Sequence, residues 1–265
     1  MSNQIEKEFY RQKESVRLNK YLSEAGVCSR READRLIEEG RVTVDGRQAE
    51  KGMRVVPGIQ EIRVGKKIIS GKEKMTVLAV NKPAGIVCTE DRRERNSIVR
   101  FLDYPIRVTY VGRLDKDSTG LLLMTNNGDI TNKIMRAGNR HEKEYKVTVD
   151  RKVTQEFLDK MAAGVPILDT MTRPCQVFYE GAYTFRIILT QGLNRQIRRM
   201  CEALGYEVKK LKRIRIMNIE LGDLKEGEYR ELTDPELDEL YRLTEHSYND
   251  WKEVRKKKEV QKEKQ

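Results

Sequence analysis

Gly112-Arg113-Leu114-Asp115-Lys116-Asp117-Ser118-Thr119-Gly120-Leu121-Leu122 is a polar stretch with a glycine at each end of its loop, set between two apolar runs. Residues 108–111 ahead of it are β-branched and aromatic and predict a strand; residues 121–124 behind it predict a buried one. The glycines let the connection turn tightly and let a ligand come close. Asp115 is the carboxylate presented on that loop. An aspartate in a turn commonly bonds only nearby backbone N–H groups, and Asp117 is the better placed of the two for that structural duty.

Working outward, Asn126-Asn127-Gly128 predicts a turn and residues 129–136 a helix with Ile130 and Ile134 on one side. Residues 77–80, 145–149, 185–189 and 214–219 read as strands, and residues 155–163 and 195–204 as helices. Asn81-Lys82-Pro83-Ala84-Gly85 breaks the first of these strands with turn chemistry. Thr233-Asp234-Pro235-Glu236 opens a last helix whose apolar face is Leu237, Leu240, Tyr241 and Leu243. Strands outnumber helices and no regular β-α-β rhythm runs through them. Residues 76–245 therefore predict an α+β domain on a mixed, largely antiparallel sheet.

The N-terminal part reads differently. Residues 1–15 are a charged lead expected to be disordered. Residues 16–64 hold two short helices and a few strands: Leu18, Tyr21, Leu22 and Ala25 recur at helical spacing up to Gly26. Ser29-Arg30-Arg31-Glu32 predicts a capping box in which Glu32 reaches back to the N–H of Ser29. Val42, Val44, the Asp45-Gly46 hairpin signal, Pro57-Gly58, Ile62 and Val64 follow. Residues 65–75, rich in glycine and lysine, read as a linker, and residues 246–265 as a basic disordered tail.

Composition bounds the function. Among 265 residues, 53 Lys and Arg outnumber 42 Asp and Glu, a net charge of +11 that points to a polyanionic partner. No apolar run approaches the ~18 residues of a membrane span, and the polar N-terminus does not resemble a signal peptide. A cytoplasmic protein is expected. Four scattered cysteines without a C-x-x-C pair, and only two histidines, His141 and His246, predict free thiols and no metal site. Imidazole chemistry is not indicated, so Asp, Glu, Tyr or Lys must carry any catalysis.

Positive charge concentrates between Gln191 and Arg215, which holds eight basic and two acidic side chains. A helix beginning Asn194-Arg195-Gln196-Ile197-Arg198-Arg199-Met200 turns Ile197, Met200 and Cys201 inward and spreads its arginines over more than one face. An arginine approaching the interior needs an anion, and Asp115 is the obvious one. Between Arg17 and Arg47 seven basic side chains are nearly matched by six acidic ones, so the residues alone leave a solvated helix face and a phosphate-binding face both open.

Two resemblances sharpen this. Leu18-Asn19-Lys20-Tyr21-Leu22, Cys28-Ser29-Arg30-Arg31-Glu32-Ala33 and Gly40-Arg41-Val42-Thr43-Val44-Asp45-Gly46 resemble the alpha-L RNA-binding motif shared by a small-subunit ribosomal protein and tyrosyl-tRNA synthetase. The resemblance implies that Arg17, Lys20, Arg30, Arg31 and Arg35 face RNA phosphates. The stretch from Gly112 to Leu122, with Asn81-Lys82-Pro83-Ala84-Gly85, Lys143-Glu144-Tyr145 and Gln191-Gly192-Leu193-Asn194-Arg195-Gln196-Ile197-Arg198-Arg199-Met200, resembles the ordered motifs of bacterial rRNA pseudouridine synthases that carry an N-terminal RNA-binding module. Arg140-His141-Glu142-Lys143-Glu144-Tyr145 and the basic stretch after it are most similar to the F branch of the synthases acting on large-subunit rRNA.

That resemblance implies an isomerase that cleaves the glycosidic bond of a uridine in large-subunit rRNA, rotates the base and reattaches it through C5. A tRNA anticodon stem-loop is a further candidate substrate. Asp115 is implied as the catalytic carboxylate, attacking C1′ or removing the 2′ proton, with Arg198 holding it charged. Tyr145 stacks on the uracil and Leu189 packs against the base or Tyr145. Arg113 fills the space the flipped uridine leaves, and Arg195 and Arg199 bind phosphate. No cofactor or metal is implied, and without a long amphipathic seam a monomer is expected. The competing readings are a non-catalytic RNA-binding or ribosome-assembly protein and, more remotely, a nucleic-acid glycosidase built on Asp115 and Asp117.

Overall fold

The computed structural model describes residues 15–71, 73–91 and 93–247, so the expected lead and basic tail fall almost wholly outside the described residues. The chain divides into two compact units. One runs to Met75 and includes Tyr104–Arg107; the other comprises Thr76–Asp103 and the chain from Val108 onward.

In the first unit, α1 (Leu18–Glu24) and α2 (Arg30–Glu38) share one core with a four-stranded sheet. Its antiparallel order is β3 (Arg47–Gln48), β2 (Val42–Val44), β5 (Ile62–Val64), β6 (Lys67–Ile68), while β1 (Val16–Arg17) pairs with β4 (Arg54–Val55). Gly26 and Gly40 end the two helices at φ 73° and 70°, and Asp45-Gly46 takes the doubly left-handed geometry of a type I′ hairpin. Only half of the expected capping box forms. The Glu32 N–H donates to Ser29 Oγ at 3.2 Å, but the Glu32 carboxylate turns to Arg35, 2.5 Å away. The stretch expected as a linker begins with structure: β6 closes the sheet and Ile69 is buried in its core. Its Lys-Gly composition concealed a two-residue edge strand.

The second unit is built, among the described residues, on a nine-stranded sheet. The main order is β13 (Gln176–Gly181), β14 (Thr184–Leu189), β10 (Lys143–Val149), β15 (Val208–Ile216), β9 (Thr119–Thr125), β7 (Val77–Lys82), β17 (Tyr229–Glu231). β8 (Thr109–Val111) adds to β9 and β16 (Ile219–Glu220) to β15; apart from this sheet, β11 (Pro166–Ile167) pairs with β12 (Thr170–Met171), and α3 (Ile98–Leu102) is a single short helix. The β15–β9 pair is parallel and the others are antiparallel, the mixed sheet that the α+β pattern predicts. β7 and β9 are buried almost throughout, with continuous apolar runs at residues 77–80 and 121–124, because both faces are covered. One core joins β10, β14 and β15 to α5 (Gln155–Ala163) and α6 (Gln196–Ala203). A second joins β7, β9 and β16 to α4 (Gly128–Met135) and α7 (Asp234–Thr244).

Some boundaries differ from those expected. β7 continues through Asn81 and Lys82, so the turn starts only at Pro83. The strand expected at 214–219 is the end of β15, a turn with Met217 at φ 53°, and β16. On α7, Leu240 and Thr244 are buried while Tyr241 and Leu243 face outward. Gly120 serves the sheet rather than a ligand: it sits at φ 98° directly opposite Arg213, and a Cβ there would collide with the Arg213 carbonyl.

Candidate active site

The loop between β8 and β9 is held from several sides. Gly112, at φ 75°, begins it, and the Ser118 N–H closes a turn onto the Asp115 carbonyl at 3.1 Å. Beneath lies Lys82, at the end of β7 and fully buried. Its ammonium donates to the carbonyls of Pro83 (2.6 Å), Ser118 (2.9 Å) and Lys116 (3.3 Å), and burial pushes its pKa down. The Gly85 N–H adds a bond to Lys116 O at 2.8 Å, and the Leu114 N–H points to the Cys88 sulfur at 3.4 Å. Asp117, expected as the structural turn residue, is exposed and makes no hydrogen bond among the described residues; Asp115 supplies the turn through its own carbonyl.

The Asp115 side chain is 35% exposed and faces two guanidinium groups. Its Oδ2 lies 3.8 Å from Arg195 Nη1 and 3.9 Å from Arg198 Nε. Arg198, 15% exposed, is fixed by bonds from Nη1 to Val208 O (3.2 Å) and from Nη2 to Ser118 Oγ (3.4 Å), so it ties α6 to the loop. Arg195 precedes the helix in the left-handed region at φ 50°, ψ 35°, a conformation costly for a long side chain and characteristic of functional positions. The resemblance assigns it to phosphate; here its guanidinium, 46% exposed, stands beside Asp115. Arg199 points elsewhere, donating to the Asn194 carbonyl and side chain at 3.1 and 3.4 Å.

A cavity of about 480 Å³ opens in front of Asp115, within the range of sites that hold a small ligand. Tyr145 is half-buried in its wall, where β15 bulges at Ile214 against β10, and Leu189, at the end of β14, is buried beside it. Arg113 is exposed where the loop meets the opening. The structure thus brings Asp115, Arg113, Tyr145, Leu189 and Arg195 to one cavity, and Arg198 to the carboxylate from behind. In the first unit, Arg17, Arg30 and Arg31 are exposed without a carboxylate partner among the described residues. Lys20 and Arg35 are engaged by Glu24 (3.5 Å) and by Glu32 and Glu39 (2.5 and 3.5 Å).

Sequence reasoning misses three cations. Lys82 reads there only as part of a turn motif. Lys143 and Arg213 line the cavity, 9% and 2% exposed, although charged residues are rarely so deep. Lys82 alone carries a signal, its place at the end of a mostly apolar strand; β10 and β15 hold several charged residues, which does not single out Lys143 or Arg213. Among the described residues no group of His, Cys, Asp and Glu could hold a metal ion, and no helix is long and apolar enough to cross a membrane.

Comparison with known proteins agrees with this geometry. Residues 76–203 match the RNA pseudouridylate synthase family and residues 16–58 the S4 domain. The chain is 54% identical over 246 residues to the dual-specificity RNA pseudouridine synthase RluF of Escherichia coli K12, covering 92% of this chain and 84% of that one. It is 35% identical to ribosomal large subunit pseudouridine synthase B of Bacillus subtilis, over 88% of this chain and 98% of that one. A solved pseudouridylate synthase superposes with a TM-score of 0.63 at 30% identity, covering 85% of this chain and 99% of that one.

Proposed function

The chain belongs to the RNA pseudouridylate synthase family, and from that premise we propose that it isomerises a specific uridine of large-subunit ribosomal RNA to pseudouridine, with a tRNA stem-loop as a second substrate. The observation that carries this reading is the Asp115 carboxylate, facing a cavity that also presents Tyr145 and Leu189, with Arg195 and Arg198 at 3.8 and 3.9 Å. The two guanidinium groups face the carboxylate oxygen that would attack C1′ or take the 2′ proton, and their charge is opposite to its own. The RNA presents the uridine by flipping it out of the stack, and Arg113 at the opening fills the vacated space. Tyr145 lies against the uracil face and Leu189 against its edge or the tyrosine ring.

The C1′–N1 bond breaks, the base turns within the cavity, and C5 bonds to C1′ as the Asp115 carboxylate leaves C1′ or returns the proton to C2′. The C5 proton is lost and N1 is protonated. Reactant and product are isomers, so no oxidant, reductant or hydrolytic water is consumed, and no cofactor enters the balance. Arg195 and Arg199, with Arg17, Lys20, Arg30, Arg31 and Arg35 of the first unit, neutralise backbone phosphates, which supplies affinity rather than base reading. A monomeric enzyme in the cytoplasm completes the proposal.

The test uses ribosomal RNA fragments tritiated at uridine C5. Wild type is expected to release tritium and Asp115→Asn to release none above background; equal release from both would overturn the assignment of Asp115. Pseudouridine maps of rRNA and tRNA from cells with and without the gene then identify the substrates.

A further inference from the structure

Two cations facing the cavity have no anion. Lys143, first residue of β10, donates one long bond from Nζ to His141 O at 3.4 Å. Arg213, on β15, donates from Nε to Leu121 O at 2.6 Å, while its buried Nη2 has no hydrogen-bond partner. Neither side chain is ion-paired among the described residues. Burial, and then the charge of Arg213, push the Lys143 pKa down to about 8. The other deep cations of this unit are compensated: Lys82 by three carbonyls, Arg215 by Glu144 and Glu142 at 2.6 and 2.9 Å. An uncompensated buried pair of like charges costs stability, and here it lies at a cavity that a ligand must fill.

Position selects the ligand group. Arg213 is directly opposite Tyr145 across the β10–β15 pair, and Lys143 is opposite Leu189 across the β10–β14 pair, two residues from Tyr145 on the same strand face. Both cations therefore border the walls assigned to the base, whereas backbone phosphates stay outside with the exposed arginines. Uracil is neutral when bound. It becomes an anion when the C1′–N1 electron pair leaves with it, the charge spreading over N1, O2 and O4. Donors that meet charge only as it develops lower the barrier rather than merely tighten binding.

We propose that Lys143 and Arg213 form a cationic cradle for the detached uracil, their N–H groups taking the negative charge that the base carries between C1′–N1 cleavage and C5–C1′ bond formation. The inference rests on reading the cavity as the uridine site. The balance is the same for either role of Asp115, which receives C1′ or the 2′ proton while the base departs as an anion. Bonding of C5 to C1′ discharges the cradle and frees Asp115, which leaves C1′ as the carboxylate or returns the proton to C2′; loss of the C5 proton and protonation of N1 then complete the isomer.

The experiment measures single-turnover loss of the N1-linked nucleoside, by liquid chromatography and mass spectrometry of nuclease digests, on an rRNA fragment transcribed with uridine or with 5-fluorouridine, which carries fluorine in place of the C5 proton and is read at detachment of the base. Fluorine withdraws electrons and makes the base a better leaving group that needs the cradle less. Lys143→Met is expected to slow the uridine reaction on the order of 100-fold and the 5-fluorouridine reaction several-fold less, with little change in RNA affinity. Lys143→Arg, which keeps the charge, should recover most of the rate and monitors folding independently of activity when its melting curve is compared with that of Lys143→Met. Equal slowing of both RNAs, a loss confined to affinity, or no loss in Lys143→Met would overturn the cradle. Asp115→Asn runs alongside: activity there would overturn the uridine-site reading itself, while an inactive Asp115→Asn with equal slowing in Lys143→Met defeats the cradle alone.

Discussion

The ammonium of Lys82 replaces its lost water with three carbonyl oxygens, two of them on the loop that presents Asp115. A charge buried that completely is tolerated only because each proton finds an acceptor. Lys82→Met removes the donors and takes the ammonium from the Pro83 and Ser118 carbonyls, while Lys116 O keeps the Gly85 N–H, so unfolding free energy should drop by about 2–4 kcal/mol. Asp115 should also lose its placement, and single-turnover isomerisation should slow beyond what the folded fraction accounts for. Denaturant titration and rate measurement on the same samples check both; a stable variant of normal rate would show that the carbonyl cage does not position the loop. Asp115, Tyr145 and Arg198 are legible in the sequence because they stand in ordered motifs whose resemblance implies a role for each, and Leu189 by the same resemblance. Lys82 and Lys143 stand in those motifs too and Arg213 in none, but no role is implied for any of the three: a charged residue read in isolation belongs on the surface, and only strand pairing reveals where it points.

At the scale of elements, legibility follows burial contrast. β9 and β14 declare themselves by apolar or alternating residues, whereas β13 and β17, at the two ends of the main sheet order, are mostly exposed and carry no such pattern. The residue pattern starts β10 at Tyr145, two residues late. Its first residues, Lys143 and Glu144, are charged, yet one faces the cavity and the other is held by Arg186 and Arg215 at 2.6 Å each. The opening of α7 is readable, since Thr233 and Glu236 form a full capping box. The structure adds a bidentate pair from Arg230 to Glu236 at 2.7 Å for both contacts. That hydrogen-bonded guanidinium, chiefly, brings the Glu236 pKa down to about 2. A depressed carboxylate contributes stability that is fully present above its ordinary value of ~4.3 and is lost as pH falls toward the folded value. Glu236→Gln should therefore lower the melting temperature at pH 7, and the deficit should shrink as pH falls from about 4 toward 2. A deficit that is the same at both ends of that range would assign the effect to packing instead of ionisation.

For the whole molecule, the decisive quantity is the surplus of positive charge and how much of it is free to meet phosphate. The division into two units is foreshadowed by two separate motif sets, but the return of Tyr104–Arg107 to the first unit has no sequence signal, because membership there is set by contacts remote along the chain. Charge counting alone makes the stretch from Arg17 to Arg47 nearly neutral, with seven basic side chains against six acidic ones. The structure changes that arithmetic: Lys20 and Arg35 are already paired with acidic neighbours, while Arg17, Arg30 and Arg31 are exposed without a carboxylate partner among the described residues. A phosphate meeting Arg30 or Arg31 displaces only counterions, whereas one meeting Lys20 or Arg35 must also displace a carboxylate, so the two pairs should contribute unequally to RNA affinity. Binding of an rRNA stem-loop by the full chain, measured across a salt series, should show log K falling linearly with log salt. The double substitution Arg30→Ala and Arg31→Ala should reduce that slope by about 1.4–1.8, the yield of two lost phosphate contacts. Lys20→Ala with Arg35→Ala should reduce it distinctly less. Unchanged slopes in the first variant would show that this helix meets no phosphate, and the charge between Gln191 and Arg215 would then have to account for the electrostatic part of RNA binding.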